Sequence, residues 1–433
     1  MCPGWIPDRR MFNPLTARIA SPLNGERARA CHVRSPLERR RVRGESDRKR
    51  PQRGQCLNRF DRHTAWIFVL LGFALAQSVW PSRAGEPSPD RPSIVLQNES
   101  ARLVMDLNGG SLGEFRFLDR DLNPLQWASP KRGETNIHGF GHFLCLDRWG
   151  PASAAEAAQG MPYHGEAANV AWSLVRGPAP RDEFLEAEAR ARLPKAGLSI
   201  RRTLRLSQQA AACAVREEVT NENPLGRIYN AVQHPTIGPP FLDANTIVDC
   251  NGRRGFAQGG ALPSPEEPSF FWPQALNRDG DSVNMRRLVA DPNPNVVSYV
   301  IEESHGWVTA ASPRQGLLIG YVWKTSDYPW VSLWRDVHDG NPAARGLEFG
   351  TTGLHQPFGI LVKKGRIWDR PLFEHLDAGQ AVSKRYLMFL CRVPEDFGGV
   401  DSLEITPARL RLRERGQAAA RDLTIEIAGL LPQ

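Results

Sequence analysis

Residues 185–220 read LEAEARARLPKAGLSIRRTLRLSQQAAACAVREEVT. The run 198–206 alternates most clearly: Leu198, Ile200, Leu204 and Leu206 share one face of an extended chain, and only Arg202 interrupts them. A period of two marks a strand that buries one face. The turn Lys195-Ala196-Gly197 joins this run to a second at 185–193, and a third follows at 211–220. Three successive strands are expected here.

The same grammar extends in both directions. Runs at 93–96, 102–107 and 113–118 form an opening meander, with Asn108-Gly109-Gly110 as a hairpin signal. Further strand candidates lie at 297–301, 307–311, 316–323, 346–349, 383–390 and 423–427. No segment shows a sustained 3.6-residue apolar period, and 154–159 is the one short helix candidate. Long proline-rich connections at 263–273 and 291–295 suit a large sandwich with elaborate loops. No internal repeat or linker follows residue 92. The expected fold is all-β, a large antiparallel β-sandwich over residues 93–430.

Charge is distributed unevenly. Of 55 basic and 47 acidic residues, 16 and 6 fall within residues 1–63, leaving 39 and 41 for the body. The positive net charge therefore belongs to the amino-terminal segment, and the near-neutral body lacks the clustered basic charge of a nucleic-acid footprint. Residues 1–63, rich in Arg, Pro and Gly, read as a basic, disordered extension. Residues 64–84 open with TAWIFVLLGFALAQSV behind Arg59 and Arg62. A basic flank, a short apolar core and small residues at Ala74, Ala76, Ser82 and Ala84 predict a secretory signal, with an uncleaved membrane anchor as the alternative. The expected location is outside the cytoplasm, and any membrane attachment would run through this segment. Of the four cysteines in the body, Cys145, Cys213 and Cys391 sit in apolar runs, which favours buried thiols over bridges; Cys250 does not.

Chemistry concentrates in three blocks. The first, NIHGFGHFLCLDRWGPASAAEAAQGMPYHG at 136–165, holds His138, His142, Arg148, Trp149 and His164. His138 and His142 could share a strand face, but a zinc site needs about three convergent ligands, so no metal is expected. The second, VTNENPLGRIYNAVQHPTIGPPF at 219–241, ends a strand in Asn221 and Asn223 and carries His234, read as a loop residue. The third, YPWVSLWRDVHDGNPAARGLEFGTTGLHQPF at 328–358, combines Trp330, Trp334, His338 and His355 with Glu348, a carboxylate inside an apolar run. Glu348 is either a site residue or the partner of Arg345 or Arg335 at a sheet edge.

In this order the blocks resemble the aldose 1-epimerase (galactose mutarotase) superfamily, over roughly residues 93–430. The resemblance implies that family's β-supersandwich. MPYHGEA resembles its His-Gly substrate-binding element, which implies a pocket role for His164, with His138-Gly139 as the competing candidate. DRWGP resembles the segment carrying a substrate-contacting arginine, hence Arg148. NAVQHPTIG resembles the segment of its general-acid histidine, hence His234, and RGLEFGTTG the strand of its general-base glutamate, hence Glu348. The sequence departs from the family after His234, where PTIGPP replaces an aromatic-rich stretch, and Asp243 and Asp249 are the candidates for its sugar-binding aspartate. Trp149, Trp330 and Trp334 are candidate faces for a pyranose.

The implied activity is interconversion of the anomers of a monosaccharide or sugar derivative. It needs one base and one acid on either side of the anomeric centre and no cofactor. The alternative is a non-catalytic carbohydrate-binding protein on the same fold.

Overall fold

A computed structural model describes residues 91–128, 137–277, 279–287, 295–416 and 421–431. The expectations for residues 1–63 and 64–84 lie outside these. No helix among the described residues is long and apolar enough to cross a membrane.

Two antiparallel sheets face each other. The larger, of eleven strands, begins Ser93–Gln97, Ala101–Asp106, Leu112–Phe117, and continues through His142–Asp147, Arg227–Ile237, Asn341–Gly350, Trp330–His338 and Asn295–Ile301. The smaller has eight strands, with Leu198–Ser207 between Phe184–Leu193 and Ala212–Asn221, as the alternation predicted. The expected antiparallel β-sandwich is built almost wholly of strands; the α-helix expected from sequence is present at Ala154–Ala158, and a second, Phe358–Lys364, was not expected. The hairpin signal at Asn108-Gly109-Gly110 is a genuine turn, with φ of 110° and 69° at its two glycines, where side chains are disfavoured.

Side chains of alternate residues decide which face is core. Leu144, Leu333, Leu347 and Phe349 point from the large sheet into the sandwich and meet Leu204, Val215, Ile319 and Met388 of the small one. A third layer, the strands Val400–Ile405, Arg409–Glu414 and Leu423–Glu426, covers the outer face of the small sheet. Its Leu410, Leu412 and Ile425 pack on Trp307, Leu318, Leu387 and Phe389. The interruption at Arg202 proves to be inward-facing: its guanidinium pairs with Glu217 at 2.6 Å and reaches the carbonyl of Gly110. Glu217 accepts from Gln233 at 2.6 Å, and Gln233 in turn bonds His142 at 3.1 Å, so a polar chain ties the two sheets together. All four cysteines in the described residues are free, with Cys145, Cys213 and Cys250 buried.

Several strands escaped the sequence reading. His142–Asp147 and Arg227–Ile237 are buried along most of their length, so they carry no alternation to detect. His234 is therefore in mid-strand, not in a loop.

Candidate active site

Register assembles the site. Across the large sheet Phe143 pairs with His234. The neighbouring ladder runs Gly346–Thr236 and Phe349–Gln233, which sets Glu348 opposite His234, and Glu348 pairs with Ser332 on its other side. A row of four residues from four strands thus points away from the core. Strand periodicity does the rest: Leu347 and Phe349 go into the sandwich, and Glu348 comes out.

Phe143, His234 and Glu348 of this row form the floor of a cavity of about 1010 Å³. Its wall includes His138, Trp149, His164, Trp334 and His355 beside His234 and Glu348. Glu348 Oε2 lies 3.4 Å from His234 Nε2 and accepts a 2.6 Å hydrogen bond from the indole N–H of Trp149. The ring of Phe143 stacks on His234 at 4.2 Å, and Thr236 Oγ1 lies 3.0 Å from its Nδ1. The backbone N–H of Gly150 donates to His164 Nδ1 at 3.0 Å, which leaves the proton of a neutral His164 on Nε2. His355 sits against Trp149 at 4.7 Å and hydrogen-bonds the hydroxyl of Tyr163 at 3.0 Å.

Burial governs the electrostatics. Glu348 is 1% exposed, and desolvation pushes its carboxyl up to about 8, opposed by the bond from Trp149. The same cause holds His234 down to about 3 and His355 down to about 4. Glu348 pairs with neither Arg345 nor Arg335 in its surroundings; the carboxyl faces the cavity. A protonated carboxyl and a neutral imidazole, adjacent and screened from water, can exchange protons with a bound hydroxyl near neutral pH.

Of the residues singled out in the sequence, Glu348, His234, His164, His138, Trp149, Trp334, His338 and His355 meet at this cavity. Arg148 does not line it. Its guanidinium is committed to Asp147 at 2.7 Å and Glu156 at 2.8 Å and lies over the ring of Phe358. Trp330 also turns elsewhere, fully buried against Phe256 and Trp368. His142 points into the sandwich core and away from His138, because it is one residue from cavity-facing Phe143 on the same strand. Asp249 is an internal ion-pair hub for Arg286 and Arg415, and Asp243 caps a local turn through Asn245 and Thr246; neither lines the cavity. Phe143, Trp127 and Tyr163 were missed. Tyr163 could have been found from its position beside His164, whereas Phe143 and Trp127 carry no local signal.

No family model and no curated protein matches the chain. Solved structures do. A galactose mutarotase-like protein from Clostridium acetobutylicum covers 70% of this chain and 96% of its own length, at 13% identity and a TM-score of 0.52. A galactose mutarotase related enzyme from Lactobacillus acidophilus (12% identity, 72% and 100% covered, TM-score 0.48) and a galactose mutarotase-like protein from Lactobacillus casei (15%, 69% and 100%, TM-score 0.45) are also similar. The fold assignment rests on the Clostridium structure. The molecule is a large all-β sandwich with a buried carboxyl and imidazole, Glu348 and His234, side by side in a pocket on its larger sheet. Its fold is galactose mutarotase-like, as the ordered motifs implied.

Proposed function

We propose that this protein is an aldose 1-epimerase-type enzyme that interconverts the anomers of a sugar by proton transfer through Glu348 and His234. The observation that carries the reading is the position of these two side chains, opposite each other on neighbouring strands with 3.4 Å between Oε2 and Nε2. The fold of the Clostridium protein is consistent with it.

Ring opening takes the proton from the anomeric hydroxyl O1 and delivers one to the ring oxygen O5. The C1–O5 bond breaks as the C1–O1 double bond forms. Rotation about C1–C2 presents the other face of the aldehyde, and the reverse transfers close the ring. The pair must therefore carry one proton, able to sit on either member. Burial supports a resting state with that proton on Glu348 and a neutral His234. The assignment expected from sequence, Glu348 as base and His234 as acid, is the other tautomer of the same pair, reached once per half-reaction. His164 and His138 are proposed to orient sugar hydroxyls, and Trp334 to flank the ring. No lysine or arginine is among the described residues of the wall, which favours an uncharged sugar over a sugar phosphate. Export is retained as part of the proposal on the strength of residues 64–84.

Polarimetry tests the reading. Freshly dissolved α-anomers of neutral hexoses should relax faster with the purified protein, and Glu348→Gln or His234→Asn should each reduce that acceleration by about 10²–10⁴-fold. No acceleration across aldoses, or full activity in either variant, sinks it. Thermal stabilisation by a sugar without turnover would instead favour a binding protein.

A further inference from the structure

The sequence reading gave Trp149 a place on the sugar-facing wall, yet its indole N–H is aimed at protein. We propose that Trp149 is a positioning residue for Glu348: it holds Oε2 through a hydrogen bond and so reserves Oε1 for the substrate. The proposal rests on the epimerase reading for its catalytic consequence, but not for the geometry.

Three observations support it. Trp149 Nε1 donates to Oε2 at 2.6 Å, with both side chains about 99% buried, and this is the one hydrogen bond to Glu348 among the described residues. A proton donor at Oε2 favours carbonyl character there, so the acidic proton of the neutral carboxyl belongs on Oε1. Second, Oε1 owes its space to Gly346, two residues earlier on the same face. A Cβ at 346 would stand 2.9 Å from Oε1 and 3.1 Å from the Cβ of Trp334. Third, the chain is built to deliver the indole. At the end of the His142–Asp147 strand, Asp147 takes φ of 84° and Gly150 of 95°, a turn that swings Trp149 across the sheet. Asp147 is locked there by ion pairs from Arg148 and Arg227. Arg148 thus has a reason to be present without touching the cavity.

Among the described residues the titratable groups around the carboxyl are His234 on the adjacent strand, Cys145 on the His142–Asp147 strand, His355 across the Trp149 ring, and beyond them His164, whose ring lies 5.4 Å from that of His234. None replaces the indole as a fixed donor. The Trp149 bond opposes the upward push of burial on Glu348, so removing it raises the pH at which the carboxyl ionises.

The test is the infrared titration of the Glu348 carboxyl in the full-length protein, its C=O stretch assigned by its disappearance in Glu348→Gln. Trp149→Phe should move the midpoint to higher pH, move the alkaline limb of kcat/KM with it, and lower kcat about 10–100-fold with KM within about twofold. An unchanged midpoint in a folded Trp149→Phe protein overturns the proposal. If that variant does not fold, Gly346→Ala keeps the indole and displaces the carboxyl. It should shift the midpoint in the same direction, and an unchanged midpoint and rate there overturn the proposal equally. The two readings fail separately. A midpoint shift in a protein that acts on no sugar supports the positioning role and sinks the epimerase; lost activity with a fixed midpoint does the reverse.

Discussion

Glu348 and His234 are each held in the form that burial prefers, and each therefore couples stability to pH. The Glu348 carboxyl titrates near 8 in the folded protein against an ordinary value of 4.5. Between those values the folded state keeps a proton that the unfolded chain has released, so stability falls as pH rises through this window. Glu348→Gln removes the penalty. Its melting temperature should match wild type near pH 4.5 and exceed it increasingly toward pH 8, by the equivalent of about 2–5 kcal/mol at the alkaline end. A constant difference across that range would refute a buried, upshifted carboxyl. For His234 the sign reverses. Its folded value near 3 lies below the ordinary 6.5, so stability is lost as pH falls through that window, and His234→Asn should gain relative to wild type in acid. Catalysis should be bounded above by the same carboxyl: kcat/KM falls with an apparent midpoint near 8, where the pair loses its shared proton.

Secondary elements translate these side chains into a site, and one turn shows how little slack there is. His164 takes φ of 66° and Gly165 of 77°, an uncommon pair of left-handed residues that aims the imidazole into the cavity. A Cβ at 165 would lie 2.0 Å from the carbonyl oxygen of Leu146, with which the backbone of this turn bridges. Gly165→Ala should cost about 1–3 kcal/mol in urea unfolding and raise KM more than it lowers kcat, since the acid–base pair lies on other strands. The sequence allowed His164-Gly165 to be noticed because glycine after histidine permits such a turn. Strands were legible where one face is solvated, as at 198–206. They were illegible where both faces are covered, as at Arg227–Ile237, because burial on both sides erases the alternation that identifies a strand.

At the scale of the whole molecule, the sandwich carries a buried ionic tie where an apolar core would be the simpler solution. Arg202 and Glu217 are 1% and 2% exposed, and they connect through Gln233 and His142 to the strands that hold the site. Arg202→Leu strands Glu217 without its cation and should destabilise the protein by about 3–5 kcal/mol. The paired change Arg202→Leu with Glu217→Leu should recover part of that loss, and no recovery would show that the guanidinium matters for another reason. What the sequence determined by itself is the all-β class, through period-two patterning, and most of the residues that meet at the cavity, through the ordered resemblance. Tertiary structure alone decided which of them face one another. Strand register set Glu348 against His234 over more than a hundred residues of chain and turned Trp330 away, and the turn after Asp147 kept Arg148 from the cavity and brought the Trp149 indole to the carboxyl. Pairing between distant strands depends on how whole sheets pack, and local residue patterns carry no information about it.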